Sequence, residues 1–174
     1  MTKNVRRAQI VGTGLIGGSI ALALRARGWH VTGRDIDTKR ADRALELDVL
    51  DAVGSDAEAE LAFVAVPASA LEVEIRNTLR ETKGVVTDTG SVKTTVARGV
   101  DDPRFIPGHP MAGSEQEGID GANQEIFDGA VWVLTPTPAS DDLGLRDLQT
   151  TLASIGCDVV TMAPERHDAL VAIV

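Results

Sequence analysis

The chain has 174 residues, a formal net charge of −9, and 43% hydrophobic but only 3% aromatic residues, with no tyrosine. That length suits one domain with a real core and is short for two. The acidic balance argues against a nucleic-acid partner and against docking on an anionic membrane, because phosphate surfaces need a basic face. An anionic substrate would need a local cationic site that overrides this field.

With so few aromatics, the core must be built from Ala, Val, Leu and Ile, which suits a parallel sheet covered by helices. No apolar run approaches the length of a membrane span. Residues 1–11 hold basic residues but no apolar stretch of a secretory signal. Cys157 is the only cysteine, so no intramolecular disulfide can form, and a reducing cytoplasm is the simplest setting.

In chain order, Arg7–Val11 reads as a first buried strand and Leu15–Arg27 as a helix that Gly28 stops. His30–Asp35 reads as a second strand. Thr38 is expected to cap a helix reaching about Leu47, and Val53 marks a short third strand. Leu61–Val66 is an unbroken apolar run, as expected for a strand buried on both faces, and Pro67 ends it. A helix over 71–79, a strand over 84–87 and a helix over Ser91–Arg98 follow. Phe105–Ile106 reads as a sixth strand, leading to a stiff turn at Pro107-Gly108-His109-Pro110. Ala130–Leu134 is a further strand, 135–142 a surface loop, Asp141–Ile155 a helix and Asp158–Thr161 a last strand. Pro164 opens a helix still running at Val174. Its apolar stretch, Leu170 to Val174, is expected to pack on a continuation of the natural protein or on a partner. Strands alternating with helices in this way predict an α/β, doubly wound, mostly parallel sheet of order 3-2-1-4-5-6.

The first chemical signal is Gly12-Thr13-Gly14-Leu15-Ile16-Gly17, between a strand and a helix. In that context Gly12 permits the tight turn, Gly14 lets the backbone approach a pyrophosphate, and Gly17 lets helix and sheet pack closely. Backbone N–H groups at Leu15 and Ile16 and the positive end of the helix would face the anion. Asp35 ends the second strand and could bind the adenine-ribose hydroxyls while repelling a 2′-phosphate. NAD is therefore favoured over NADP, although Arg34, Lys39 and Arg40 could receive a phosphate. Pro67 and Ser69 would lie across the crevice at the topological switch point, or serve only as a strand stop and helix cap. A turn that merely needs small residues is the bland alternative for the glycines.

Two later segments point to the reaction. Ser91 follows the fifth predicted strand and His109 the sixth, and the C-terminal ends of these strands face one crevice. A neutral imidazole can accept a hydroxyl proton near neutral pH, and a serine hydroxyl on its other nitrogen would fix the ring. The alternative is a histidine that only ties a turn to the sheet. Lys93 could attract an anionic substrate or simply face solvent. Glu115 is a polar candidate, and His167 either faces the crevice or is a solvated helix residue. The three histidines are too scattered for a metal site.

The segments Val11–Ser19, Asp88–Lys93, Gly108–Glu115 and Gly118–Ala122 resemble the prephenate dehydrogenase family, including its arogenate-using relatives. The resemblance covers almost the whole chain. It implies a Rossmann-like domain over 1–163 that oxidatively decarboxylates prephenate to 4-hydroxyphenylpyruvate with NAD, in tyrosine biosynthesis. It makes His109 the proton acceptor and Ser91 the residue that orients it. It also implies a C-terminal helical domain that forms a homodimer and supplies an arginine to the substrate. That domain would begin where this chain stops, with 164–174 leading to it, so the chain alone is expected to turn over poorly. Two readings compete: another β-hydroxyacid-type dehydrogenase or imine reductase, for which His109 would have no role, and a non-enzymatic NAD-sensing module.

Overall fold

A computed structural model describes residues 5–113 and 115–173. Ser114, within the 108–115 segment, and Val174, at the end of the apolar stretch, lie outside the described residues, as do residues 1–4.

Five parallel strands form the central sheet in the order β3-β2-β1-β4-β5: β1 Arg7–Val11, β2 His30–Arg34, β3 Ala52–Val53, β4 Leu61–Val64 and β5 Val85–Asp88. Successive side chains of β1 and β4 enter opposite cores, as period-two geometry requires. Ile10 and Phe63 join one core with Ile20, Leu24, Trp132 and Leu148. Val11, Ala62 and Val64 join the other with Leu71, Ile75, Val86 and Val96. Helices α1 Leu15–Arg25, α2 Thr38–Glu46 and α5 Asp142–Ser154 contribute to the first core. Helices α3 Leu71–Glu81 and α4 Thr94–Gly99 contribute to the second. The sheet is thus wound on both faces, the architecture expected from the strand–helix alternation.

Three local expectations change. Thr38 does not cap α2; the Asp37 carboxylate does, accepting from the Lys39 N–H. Helix α4 begins at Thr94 rather than Ser91, because the Asp168 carboxylate accepts from the backbone N–H groups of Lys93 (2.8 Å) and Thr94 (2.9 Å). The cap therefore comes from a residue some seventy positions away.

The third change concerns the sixth strand. Phe105 makes only a single parallel bridge to Val86, with Ile106 N–H donating to the Val86 carbonyl at 2.9 Å. Pro107 has no N–H to continue that ladder. The chain instead enters β6 Gly108–Met111, antiparallel to β7 Val131–Leu134, which in turn pairs with β8 Asp158–Thr161 in parallel. Pro110 is tolerated because β6 is an edge of this three-stranded sheet. Helix α6, Pro164–Val171, packs beside α4. Leu170 and Ile173 are exposed at 48% and 82%, so the apolar stretch is not covered by the described residues. None of the described helices is long and apolar enough to cross a membrane.

Candidate active site

The C-terminal ends of β1, β2 and β4 open on a cleft of about 570 Å³, lined by Gly12, Gly14, Leu15, Ile16, Arg34, Asp35, Pro67 and Thr89 among others. The three fingerprint glycines have different surroundings. A Cβ on Gly12 would sit 2.2 Å from the Ala65 carbonyl oxygen, and the residue has φ +92°. A Cβ on Gly17 would sit 1.9 Å from the Gly12 carbonyl oxygen. Both are glycine because backbone crowds them. A Cβ on Gly14 would meet nothing within 4 Å, so this glycine borders open space in the cleft. Gly14 is also the N-cap of α1 and supplies no capping side chain, so the positive end of the helix is left for a ligand.

Asp35 has a structural task that the sequence did not reveal. Its Oδ2 accepts from the Thr13 N–H (2.8 Å) and hydroxyl (3.2 Å), and its Oδ1 accepts from the Asp37 N–H (2.9 Å). The carboxylate ties the fingerprint loop to the end of β2. Of roughly four lone-pair sites, one is left for a ribose hydroxyl. Arg34 points to Glu74 (2.7 Å) and Glu81 (3.1 Å) on α3, while its Nη2 is buried without a hydrogen-bond partner among the described residues. Arg40 lines the cleft, and its nearest carboxylate is Asp37 at 3.8 Å. Pro67 borders the cleft, whereas Ser69 is exposed and is not part of its lining.

His109 stands in β6, opposite Val133, and not on a turn. Its strand is locked to the end of β5. Asp88 Oδ1 accepts from the Gly108 N–H (3.1 Å), and Lys93 Nζ donates to the Gly108 carbonyl (2.7 Å) and to Asp88 Oδ2. The side chains of Lys93 and Asp88 are completely buried. Lys93 is thus neither a solvent-facing lysine nor a free cation for an anionic substrate. Burial drives the Asp88 carboxyl upward and the Lys93 ammonium downward, and their mutual attraction opposes both shifts. Thr89, the residue after Asp88, borders the cleft, so the lock joins β6 to a strand end that reaches the cleft; His109 itself is not among the cleft's lining residues.

Around the imidazole, His109 Nδ1 lies 2.9 Å from His167 Nε2, and His167 Nδ1 lies 2.8 Å from Asp168 Oδ1. His167 is 1% exposed, so it is a buried residue of α6 and not a solvated one. Ser91 is exposed, and no hydrogen bond joins it to His109 among the described residues. Glu115 is exposed as well. Burial, with repulsion from His167 and Lys93, pushes the His109 pKa down to about 4, against the attraction of Asp168. The ring is therefore neutral and able to accept a proton throughout the physiological range. Asp168 is partly desolvated, which would raise it, yet hydrogen bonds from Thr94, His167 and the Lys93 N–H hold it well below the usual carboxylate range.

The role of Asp88 is not written in the sequence, because a carboxylate five residues before a lysine matches no helical or strand pairing rule, and its bond to Gly108 forms only where β6 meets the end of β5.

A model of the prephenate dehydrogenase nucleotide-binding domain matches residues 20–161. The prephenate dehydrogenase of Bacillus subtilis (strain 168) is 33% identical over 95% of the chain and 48% of its own length. The crystal structure of Synechocystis arogenate dehydrogenase superposes with a TM-score of 0.88 at 32% identity, covering 95% of this chain and 63% of that one. Prephenate dehydrogenase from A. aeolicus, solved with hydroxyphenyl propionate and NAD+, gives 0.89 at 26% identity, covering 98% and 64%. The chain spans about half the length of the Bacillus relative and less than two thirds of the two solved structures. The chain therefore belongs to the prephenate dehydrogenase family, as its nucleotide-binding domain.

Proposed function

We propose that this chain is the cofactor-binding part of a cytoplasmic, NAD-dependent enzyme that oxidatively decarboxylates prephenate to 4-hydroxyphenylpyruvate. The observation behind this reading is His109, on a strand locked to the end of β5, with Nδ1 engaged by His167 and, among the described residues, no hydrogen-bond partner at Nε2. A buried, unpaired Cys157 agrees with a reducing compartment.

NAD fits the residues present. Gly14 offers open space, the start of α1 is uncapped, and Asp35 keeps one acceptor site for a ribose hydroxyl. Gly12, Gly14, Leu15, Ile16, Gly17 and Asp35 would hold it, with Pro67 on the opposite wall. Once bound, NAD supplies the hydride acceptor. His109 Nε2 takes the proton of the ring hydroxyl as the carbinol C–H bond breaks with its electron pair. The resulting ketone lies across the ring from the carboxylate, and loss of carbon dioxide is driven by aromatisation. The protein's tasks are positioning and one proton transfer.

Because Lys93 is committed to Asp88 and Gly108, we assign it to holding β6 and not to the substrate. The cation for the substrate carboxylates would come from a further domain that 164–174 leads into, which would also form the homodimer; the exposed apolar Leu170 and Ile173 support such a covering. Arogenate is the second reading, supported by the likeness to the Synechocystis structure.

NADH formation by the complete enzyme, with each substrate in turn, tests the assignment. His109→Asn is expected to lower kcat by about 10²–10⁴-fold with little change in KM. Intact turnover in that variant would overturn the reading and favour a dehydrogenase that draws its acid–base group from elsewhere. The absence of turnover with either substrate despite NAD binding would favour an NAD-sensing module.

A further inference from the structure

We propose that Asp168 and His167 are positioning residues that fix His109 in its Nδ1–H tautomer, leaving the Nε2 lone pair as the proton acceptor. The inference rests on His109 being the base and adds how its competent form is selected.

Asp168 Oδ1 and Oδ2 accept backbone N–H groups from Lys93 (2.8 Å) and Thr94 (2.9 Å), so the carboxylate is pinned and can only accept. His167 Nδ1, 2.8 Å from Oδ1, must therefore donate. A neutral imidazole with its proton on Nδ1 presents Nε2 as an acceptor. His109 Nδ1, 2.9 Å from that atom, must then be the donor in its turn. Its own single proton is thereby used, and Nε2 is bare. An unconstrained imidazole favours the opposite tautomer, with the proton on Nε2, which could not take a proton from a substrate hydroxyl at that atom. A carboxylate that sets the tautomer of a catalytic imidazole plays the same part in hydrolase triads, here with one more imidazole between.

The surroundings make the chain of bonds stiff. His167 is 1% exposed, and its ring meets that of His109 edge to face with centroids 5.1 Å apart. The charged and titratable groups facing His109 are His167 and Asp168 from α6 and Lys93 from the start of α4, whose ammonium is bound by Asp88 on β5. When Nε2 takes a proton, the Asp168 charge lies two hydrogen bonds away through the His167 ring, where it opposes the repulsion from His167 and Lys93.

The test is the tautomer itself, read by long-range ¹H–¹⁵N correlation of the imidazoles of this chain near pH 8. Only three histidines need assignment. His109 is expected to show a protonated Nδ1 and a bare Nε2. A wild-type His109 with its proton on Nε2 overturns the proposal without any variant. His167→Gln retains an acceptor and should preserve the tautomer. His167→Leu removes it and should return His109 to the Nε2–H form. An unchanged tautomer in folded His167→Leu also overturns the proposal. In the complete enzyme, His167→Leu should lower kcat at least about tenfold, with KM for NAD unchanged and His167→Gln restoring much of the rate. Asp168 is left intact because its loss would also uncap α4. Full turnover by His109→Asn would remove the proposed function, whereas the tautomer is decided by the spectrum alone.

Discussion

Replacing Lys93 by Met tests the lock that sets His109 in place. Met fills a similar volume but leaves the completely buried Asp88 carboxylate without its cation. Removing one partner of a buried pair costs about 3–5 kcal/mol. Asp88 would keep the N–H groups of Gly90 (2.9 Å) and Gly108 (3.1 Å), so we expect the lower end, about 3 kcal/mol near pH 8. For a domain of this size that is a fall of about 6–12 °C in Tm. The sign of the pH dependence follows from burial, which already drives Asp88 upward and would then act without the opposing lysine. An acid with a folded pKa above its unfolded value of about 3.9 costs nothing while protonated, and it destabilises progressively as pH rises from the unfolded toward the folded value. The variant should thus lie closer to wild type near pH 5 than near pH 8. Adding Asp88→Asn should recover most of the loss near pH 8, because no buried charge remains. Urea unfolding at the two pH values measures all three proteins. A Lys93→Met chain within about 1 kcal/mol of wild type near pH 8, or equally destabilised at both pH values, would refute the argument.

Two of the fingerprint glycines should behave in opposite ways. Gly14→Ala, with open space for its Cβ, should leave urea unfolding within about 0.5 kcal/mol of wild type yet weaken NAD binding in calorimetry. Gly17→Ala, whose Cβ would lie 1.9 Å from a carbonyl oxygen, should fail to give a cooperative fold. NMR titration of His109 should show its midpoint near 4 and not near 6.5. Since the folded pKa is the lower one, this group's contribution to stability is complete above about 6.5 and is lost as pH falls toward 4. Cys157, buried and with its thiol pushed up to about 12 by burial and by Asp158 and Asp128, should resist a disulfide reagent at pH 8 and react fully in urea.

The sequence by itself determined the doubly wound sheet and its cofactor cleft, because those features are written locally. Apolar runs such as Leu61–Val66 and the strand–glycine–helix order of 7–25 depend on neighbours within a few residues. Asp35 was legible for the same reason, standing at the end of the next strand, although its bonds to Thr13 emerge only when the two strand ends lie side by side. The chemistry around His109 was legible only in part. Its residue type and segment stood out, but its environment is made by long-range contacts. The meeting of β6 with the end of β5 brings Gly108 to Asp88 and Lys93, and α6 returns to set His167 against His109 of β6, 58 positions away, and Asp168 against Thr94 of α4, 74 positions away. No periodicity encodes such meetings, since each depends on where Pro107 releases the chain from one sheet and β7 captures it in another. Tertiary structure alone therefore decided that Lys93 is buried, that His167 is not a surface residue, and that the neighbour of the His109 imidazole is a second imidazole and not the Ser91 hydroxyl.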